Sequence, residues 1–307
     1  MSYPSRTVAD MEQEYLQQVA IVMASLELLP AQPSDLTAIL RDPDQCDALL
    51  GSSAGFHEFE LVSYLRENLD RSRVEHWLKQ IDRLVATQIA IPILAATRPN
   101  APVYPERLAR CWDAPPVLFS TAPIPNAGPS VAIIGSRSVA EDVLADTRAL
   151  AAELAAAAIT IVSGLAIGVD TAAHEGALAE DGYTVAVLGT GITRVFPEHN
   201  TDLAGRIRRT GALVSQFAPY APRTRTSFLR RNHVIAGLSD ISLVMAGQPR
   251  SGSRHEIEQA IGYQRTVMMW EPALADQDWA HQLADNGQAI FVSGAQDVRR
   301  ALDAIQP

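Results

Sequence analysis

The chain has 307 residues, 47% of them apolar and 20% charged, with a formal net charge of −10 at pH 7. That composition supports a packed core and excludes global disorder, and the length suits two domains of roughly 100–200 residues each. Cys46 and Cys111 lack CxxC spacing or a histidine cluster, which argues against a disulfide framework or zinc site and fits a reducing cytoplasm; no secretory leader and no apolar run of about 18 residues marks a membrane span.

Residues 1–95 read as a small helical domain. Met11–Leu29 places Tyr15, Val19, Val22, Met23 and Leu26 at helical spacing, Pro33-Ser34-Asp35 starts another helix, and His57–Glu67 and Arg73–Ala90 are two further amphipathic helices. No chemistry-bearing motif is visible there, which predicts an accessory or interaction role. Residues 96–122 form a proline-bearing connector that ends in a short strand, Val117–Phe119.

From 123 to 307 strands and helices alternate. The predicted strands are Val131–Ile134, Ile159–Ser163, Thr184–Leu188, Ala212–Ser215, Ile241–Met245, Thr266–Trp270 and Ala289–Val292. The predicted helices are Asp142–Ala157, Thr171–Ala179, Asn200–Arg209, Arg231–Leu238, His255–Tyr263 and Gln296–Ala304. Apolar strands alternating with helices specify an α/β fold: an extended Rossmann-like, mostly parallel, doubly wound sheet covered on both faces.

Glycine-bearing or polar turns follow five of these strands. Gly135-Ser136-Arg137 ends the first and Ser163-Gly164, continuing to Gly168-Val169-Asp170, ends the second. Gly189-Thr190-Gly191 ends the third, ahead of Arg194, Phe196, His199 and Asn200. Paired Arg230-Arg231 with Asn232 opens a helix, and Arg250-Ser251-Gly252-Ser253 follows the fifth strand. In this architecture such turns share one edge, where backbone N–H groups and helix N-termini bind phosphate. The first turn is not GxGxxG, so no standard dinucleotide fingerprint is present. Each motif also has a plainer use: Asp170 as a helix cap, His174 as a buried core histidine, Phe196 as a core lid, the paired arginines in packing ion pairs. No nucleophile–base pair, paired carboxylates or metal-ligand cluster stands out, so no catalytic residue, metal or cofactor is expected. The acidity lies mostly at the chain ends: between Arg194 and Arg254 ten arginines face three acids, Glu198, Asp202 and Asp240, a local field able to hold phosphates despite the net charge.

Taken together these motifs resemble the DprA (Smf) family of DNA-processing proteins, over roughly residues 100 to 307. The family carries a GSR turn, an SGLAxGID-AH-AL segment, a GxGxxxxYPxxN segment, an FxxRNRxIAGLS segment and an RSGS turn. Their counterparts are Gly135–Arg137, Ser163–Asp170 with His174 and Leu178, Gly189–Asn200, Phe228–Ser239 and Arg250–Ser253. Tyr104-Pro105, Leu108 and Pro115–Leu118 match its connector. The resemblance implies a cytoplasmic, non-enzymatic protein that binds single-stranded DNA along the glycine-turn edge, loads the RecA recombinase in natural transformation or recombination, and dimerises through its core. Carried over by position, Arg137, Ser163, Gly164, Phe196, Asn200, Arg230, Arg231 and Asn232 become candidate DNA contacts. The remaining turn residues Gly135, Ser136, Gly168, Gly189, Gly191, Arg194, Arg250, Ser251, Gly252 and Ser253 complete the candidate phosphate-binding set. The winged-helix domain that follows in many members has no counterpart before Pro307, and residues 1–95 occupy the place of the family's SAM-like domain.

The chain departs from the family at Phe196 for Tyr, Gln216 for Glu, His233 for the second Arg, Ala246 for Glu, and Arg254-His255-Glu256-Ile257 for LITA. An alternative reading is a nucleotide-binding sensor or a nucleoside-monophosphate phosphoribohydrolase of the cytokinin-activating type, with Glu256 polarising a ribose hydroxyl. A third is a partner-binding scaffold for a recombinase without DNA affinity.

Overall fold

The structure is a computed structural model that describes residues 13–29, 33–51, 58–98, 101–249 and 252–305. Among the described residues, apolar, β-branched runs form nine strands: β1 (Ile91–Leu94), β2 (Val117–Ser120), β3 (Ser130–Gly135), β4 (Thr160–Ser163), β5 (Thr184–Val187), β6 (Ala212–Ser215), β7 (Ile241–Ala246), β8 (Thr266–Trp270) and β9 (Ile290–Val292). They join one sheet in the order β1-β2-β6-β5-β4-β3-β7-β8-β9. β1–β2 and β2–β6 pair antiparallel, and every other neighbouring pair is parallel. This is the expected mostly parallel sheet. β1 falls in a stretch the sequence assigns to no strand, because Pro92 interrupts its pattern. As the edge strand β1 has one side without a ladder, where a missing N–H is tolerated.

Alternate residues of each strand enter opposite cores, as the two-residue period of a pleated strand demands. Val131, Ile133, Ile161, Ile241, Leu243 and Met268 face one layer, with helices Glu141–Ala156, Val169–Ala179 and Ala295–Ile305. Ala132, Ile134, Val162, Val244 and Met269 face the other, with helices Asn232–Gly237, Gly252–Gly262 and Asp278–Asp285. Burial on both faces explains why these strands read as continuous apolar runs.

The amino-terminal helices run over Gln13–Leu28, Pro33–Arg41, Pro43–Leu50, Glu60–Asn68 and Arg71–Ala86. They agree with the predicted set except for Pro43–Leu50, which Asp42 caps by accepting the N–H groups of Asp44 and Gln45. Met11 and His57 lie outside the described residues. These helices do not stand apart from the sheet. Val19, Leu36, Trp77 and Ile81 share one buried cluster with Val117, Phe119, Leu188 and Leu213. The Tyr15 hydroxyl donates to the Pro92 carbonyl at 3.2 Å and accepts the Leu94 N–H at 3.0 Å, pinning the first helix to β1.

The chain leaves β3 towards β4 on one side and returns from β6 to β7 on the other. β3 and β7 therefore flank the topological switch point, where an open α/β sheet forms a crevice beyond its carboxyl ends. The β3–β7 register shifts between Ile134 and Gly135, and pairing resumes at Gly135 opposite Ala246.

Candidate nucleic-acid interface

The switch point holds a cleft of about 360 Å³ lined by Gly135, Ser136, Arg137, Phe228, Asn232 and Glu256, among others. Its first wall is the turn after β3. The Ser136 N–H donates to the Ala246 carbonyl at 3.1 Å, and the Ser136 carbonyl accepts the Val169 N–H at 3.3 Å. Gly168 packs against that turn with φ at +85°; a Cβ there would lie 2.6 Å from the Ser136 carbonyl oxygen, so both conformation and space require glycine. The Ser136 hydroxyl bonds its own turn at Ser138, while Arg137 is exposed at the mouth.

The floor is a buried polar latch. Helix Arg225–Arg230 ends and helix Asn232–Gly237 begins with Arg231 as the hinge between them. Arg230 therefore points to solvent and Arg231 points inward; the expectation that both open a single helix N-terminus is corrected by this break. The Arg231 guanidinium is 6% exposed. Its Nη1 donates to the Gly164 and Val187 carbonyls, each at 2.5 Å, and its Nε donates to Asn232 Oδ1 at 3.0 Å. Asp170 Oδ2 lies 3.7 Å from Nη2 and accepts the Ala166 N–H at 3.2 Å. Asp170 sits inside the first turn of helix Val169–Ala179, whose cap is Gly168, so its carboxylate closes the preceding loop rather than serving as the cap residue. Gly164 is required because an added Cβ would lie 1.9 Å from Arg231 Nη1.

Ser163, Asn200 and Asn232 also stand behind the cleft surface with their polar atoms engaged. The Ser163 hydroxyl donates to the Ile133 carbonyl at 2.6 Å. Asn200 Nδ2 donates to the Leu165 carbonyl and to Thr171 Oγ1, and Asn232 Nδ2 donates to the Gly252 carbonyl at 3.1 Å. His174 is the core histidine of the plainer reading. Thr184 Oγ1 donates to the Ile161 carbonyl, so it accepts from His174 Nδ1–H at 2.7 Å, and burial pushes the imidazole pKa down to about 3.

In front of this floor runs a row of two rings flanked by a cation at each end. The Arg137 guanidinium carbon lies 5.7 Å from the Phe228 ring centre. Phe228 meets Phe196 edge-on at 5.5 Å, and Arg223 lies 4.5 Å from the Phe196 ring. Gly189 makes room for it, since a Cβ there would come within 2.7 Å of Phe228. Gly191 holds the neighbouring loop: its N–H donates to the Ala221 carbonyl. Arg194 is exposed and its Nε donates to the Tyr220 carbonyl at 2.9 Å, while Arg230 is exposed over Phe217 at 5.8 Å. The sequence reading did not single out Phe228 and Arg223 as contacts; the turn-then-aromatic spacing of the Phe228 segment was the available signal.

On the far wall, helix Gly252–Gly262 starts at the cleft with Gly252 exposed and Ser253 buried. Arg250 and Ser251 lie outside the described residues. Glu256, one turn into that helix, is buried with Oε1 unpartnered among the described residues. Burial drives its carboxyl well above the ordinary range, against the pull of Arg231, and the nearby Asp170 charge adds to the rise. Two of the departures meet each other: His233 Nε2 lies 2.9 Å from Gln216 Oε1, with His233 Nδ1 3.0 Å from Asp113. The arginine-rich stretch divides, since Arg208 and Arg209 lie in the last turn of helix Thr201–Thr210, where Arg208 Nη2 donates to the Ile192 carbonyl at 3.4 Å. Among the described residues no metal-binding cluster is present, and no helix is long and apolar enough to cross a membrane.

The family model described as DNA recombination-mediator protein A matches residues 96–303. DNA processing protein DprA of Streptococcus pneumoniae is 36% identical over 202 residues, covering 64% of this chain and 70% of that protein. Protein Smf of Escherichia coli is 32% identical over 261 residues, covering 75% and 70%. Protein Smf of Synechocystis is 34% identical over 206 residues, and the matched part is 52% of its length, so the chain spans about half of that relative. Among solved structures, S. pneumoniae DprA superposes with a TM-score of 0.63 at 26% identity, covering 94% of this chain and 93% of that one. DNA processing protein A of Helicobacter pylori, whose structure concerns its single-stranded DNA binding mode, gives 0.59 at 27% identity, covering 65% and 93%.

Proposed function

The chain belongs to the DNA recombination-mediator protein A family, and from that membership we propose that it binds single-stranded DNA across the switch-point cleft. The observation that carries this is the Arg137–Phe228–Phe196–Arg223 row at the cleft mouth. Cations hold successive phosphates while ring faces stack bases, a combination that tolerates any sequence and needs unpaired bases. The H. pylori relative, a single-stranded DNA binder, supports the same ligand class here.

Roles divide by exposure. Arg137, Arg194, Phe196, Arg230 and the Gly252 helix start face the strand. Ser163, Gly164, Asn200, Arg231 and Asn232 are positioning residues that hold the loops behind it. The protein acts as a cytoplasmic homodimer that delivers the bound strand to a RecA-class recombinase, as a binding protein rather than an enzyme. The phosphoribohydrolase alternative would use Glu256 to polarise a ribose hydroxyl, and burial raises that carboxyl above its ordinary range, which works against the charged form.

The test is fluorescence anisotropy of labelled poly-dT, a mixed-sequence oligonucleotide and a duplex at two salt concentrations, for wild type beside Arg137→Ala. Salt-dependent binding that prefers single strands and weakens in the variant supports the reading. Absence of binding at low salt overturns it, and release of free base from a nucleoside monophosphate would establish the enzyme instead.

A further inference from the structure

A second cavity, of about 520 Å³, lies where helix Pro33–Arg41, the connector, the Arg231 hinge and helix Gly252–Gly262 meet. Among its described lining residues only Leu229 also lines the switch-point cleft. Its size is that of an ordinary small-molecule site. Arg230 is the one group that both this cavity and the proposed DNA path can use.

Hydrogen bonding sorts the polar groups of this cavity into engaged and free. Asp113 Oδ1 accepts the Tyr263 hydroxyl, and Asp113 Oδ2 lies 3.0 Å from His233 Nδ1. His233 Nε2 meets Gln216 Oε1 at 2.9 Å, and Gln216 Nε2 donates to the Arg230 carbonyl at 2.8 Å. The one carboxylate in the lining is therefore fully engaged. His255 Nδ1 is buried without a partner among the described residues. The Arg230 guanidinium, the Gln259 amide and the Ser34 hydroxyl likewise join no hydrogen bond or ion pair among the described residues. Buried polar atoms are almost always paired, so an orphan nitrogen in a cavity marks a place for a ligand atom. His255 and Gln259 stand one turn apart on the same helix face, about 6 Å along the axis. One turn further on comes Tyr263, against which Trp112 packs edge-on at 6.4 Å. Trp112 is 68% exposed and Leu229 is exposed too, so an indole and an aliphatic side chain border the cavity uncovered. Along the helix the lining runs from imidazole through amide to ring.

A free cation, unpaired hydrogen-bonding groups and an open ring surface, with no free carboxylate, suit a ligand that joins an anion to a flat heterocycle. The geometry points to a mononucleotide site, with the phosphate at Arg230 and His255, the ribose hydroxyls at Gln259 and the base stacked on Trp112. The order of these groups along helix Gly252–Gly262 is the order of phosphate, sugar and base in the ligand. A nucleotide held there bridges the amino-terminal helices to the hinge that carries Arg230. The site is independent of the switch-point cleft and stands whether or not that cleft binds DNA.

The experiment is calorimetric titration of AMP, adenosine and ribose 5-phosphate into wild type, Trp112→Ala, His255→Ala and Arg137→Ala, with an oligothymidylate titrated into each in parallel. Wild type binds AMP more tightly than either fragment. Trp112→Ala weakens AMP about tenfold and leaves ribose 5-phosphate unchanged. His255→Ala weakens AMP and ribose 5-phosphate about three- to tenfold. Both variants keep wild-type affinity for the oligothymidylate, which also shows that they fold. Arg137→Ala weakens the oligothymidylate and leaves AMP unchanged. No heat with AMP at millimolar concentration overturns the site, as does ribose 5-phosphate binding as tightly as AMP. AMP binding that Arg137→Ala abolishes and Trp112→Ala spares would place the nucleotide in the switch-point cleft and overturn it too. If wild type fails to bind the oligothymidylate while AMP behaves as stated, the DNA reading falls and this site stands.

Discussion

Gly164→Ala tests the buried latch more sharply than any change to a surface cation. Gly164 has φ outside the left-handed region, so alanine costs nothing in backbone conformation. Its Cβ would instead lie 1.9, 2.0 and 2.1 Å from Nη1, Nη2 and Cζ of Arg231. The guanidinium has nowhere to retreat, being buried and bonded to Gly164, Val187 and Asn232. It must leave, which strands Asp170 and the carbonyls without their donor. Breaking a buried ion pair by removing one partner costs about 3–5 kcal/mol, a large share of a typical stability of about 5–15 kcal/mol. Urea unfolding of wild type, Gly164→Ala, Arg231→Ala and the double variant measures it. Each single change should lower stability by about 3–5 kcal/mol, and the second change should then add less than about 1 kcal/mol. A loss under about 0.5 kcal/mol for Gly164→Ala, or equal losses in both backgrounds, would refute the latch.

Three further outcomes are expected. Phe228→Ala should weaken single-stranded DNA by about 1–3 kcal/mol with an unchanged salt slope, whereas Arg137→Ala should reduce the slope of log affinity against log salt by about 1; both come from the same titrations. Glu256 has its pKa raised on folding from its ordinary value of about 4.5, so the unfolded chain loses that proton first and stability falls as pH rises from about 4.5 towards the raised value. Chemical denaturation across that window should show a flatter profile for Glu256→Gln. His174 runs the other way: depressed to about 3 in the fold, it contributes stability present above pH 6.5 and lost as pH falls towards 3. His174→Gln should flatten that acid limb.

The parallel sheet was legible because strands buried on both faces must be apolar along their whole length, and the turns after them are punctuated by glycine. Ile91–Leu94 was hidden by Pro92, which reads as a break and is tolerated only because the strand is an edge. Helix Arg225–Arg230 was hidden by its capping box, which uses Ser227 where the usual pattern has Glu or Gln.

At the site, spacing located the turns but not the direction of each side chain. Arg230 and Arg231 are neighbours in sequence, and the helix break between them sends one to solvent and the other into the core. Arg208 and Arg209 add to the arginine count, yet they sit in the last turn of their helix, where Arg208 bonds the Ile192 carbonyl. The changes at Gln216 and His233 look independent in sequence; the structure joins them by a 2.9 Å contact, with Asp113 3.0 Å from the other ring nitrogen of His233. Phe228 and Arg223 joined the site only through contacts between separate loops, which no local pattern contains.

The most direct test of the DNA path is photo-crosslinking of single-stranded DNA carrying 5-bromodeoxyuridine, followed by mass-spectrometric mapping of the attached peptides. The account predicts attachment at the segments that carry Phe228 and Phe196, lost on competition with unlabelled single strand and retained against duplex. Attachment confined to the amino-terminal helices or to the Arg206–Arg209 segment would contradict it.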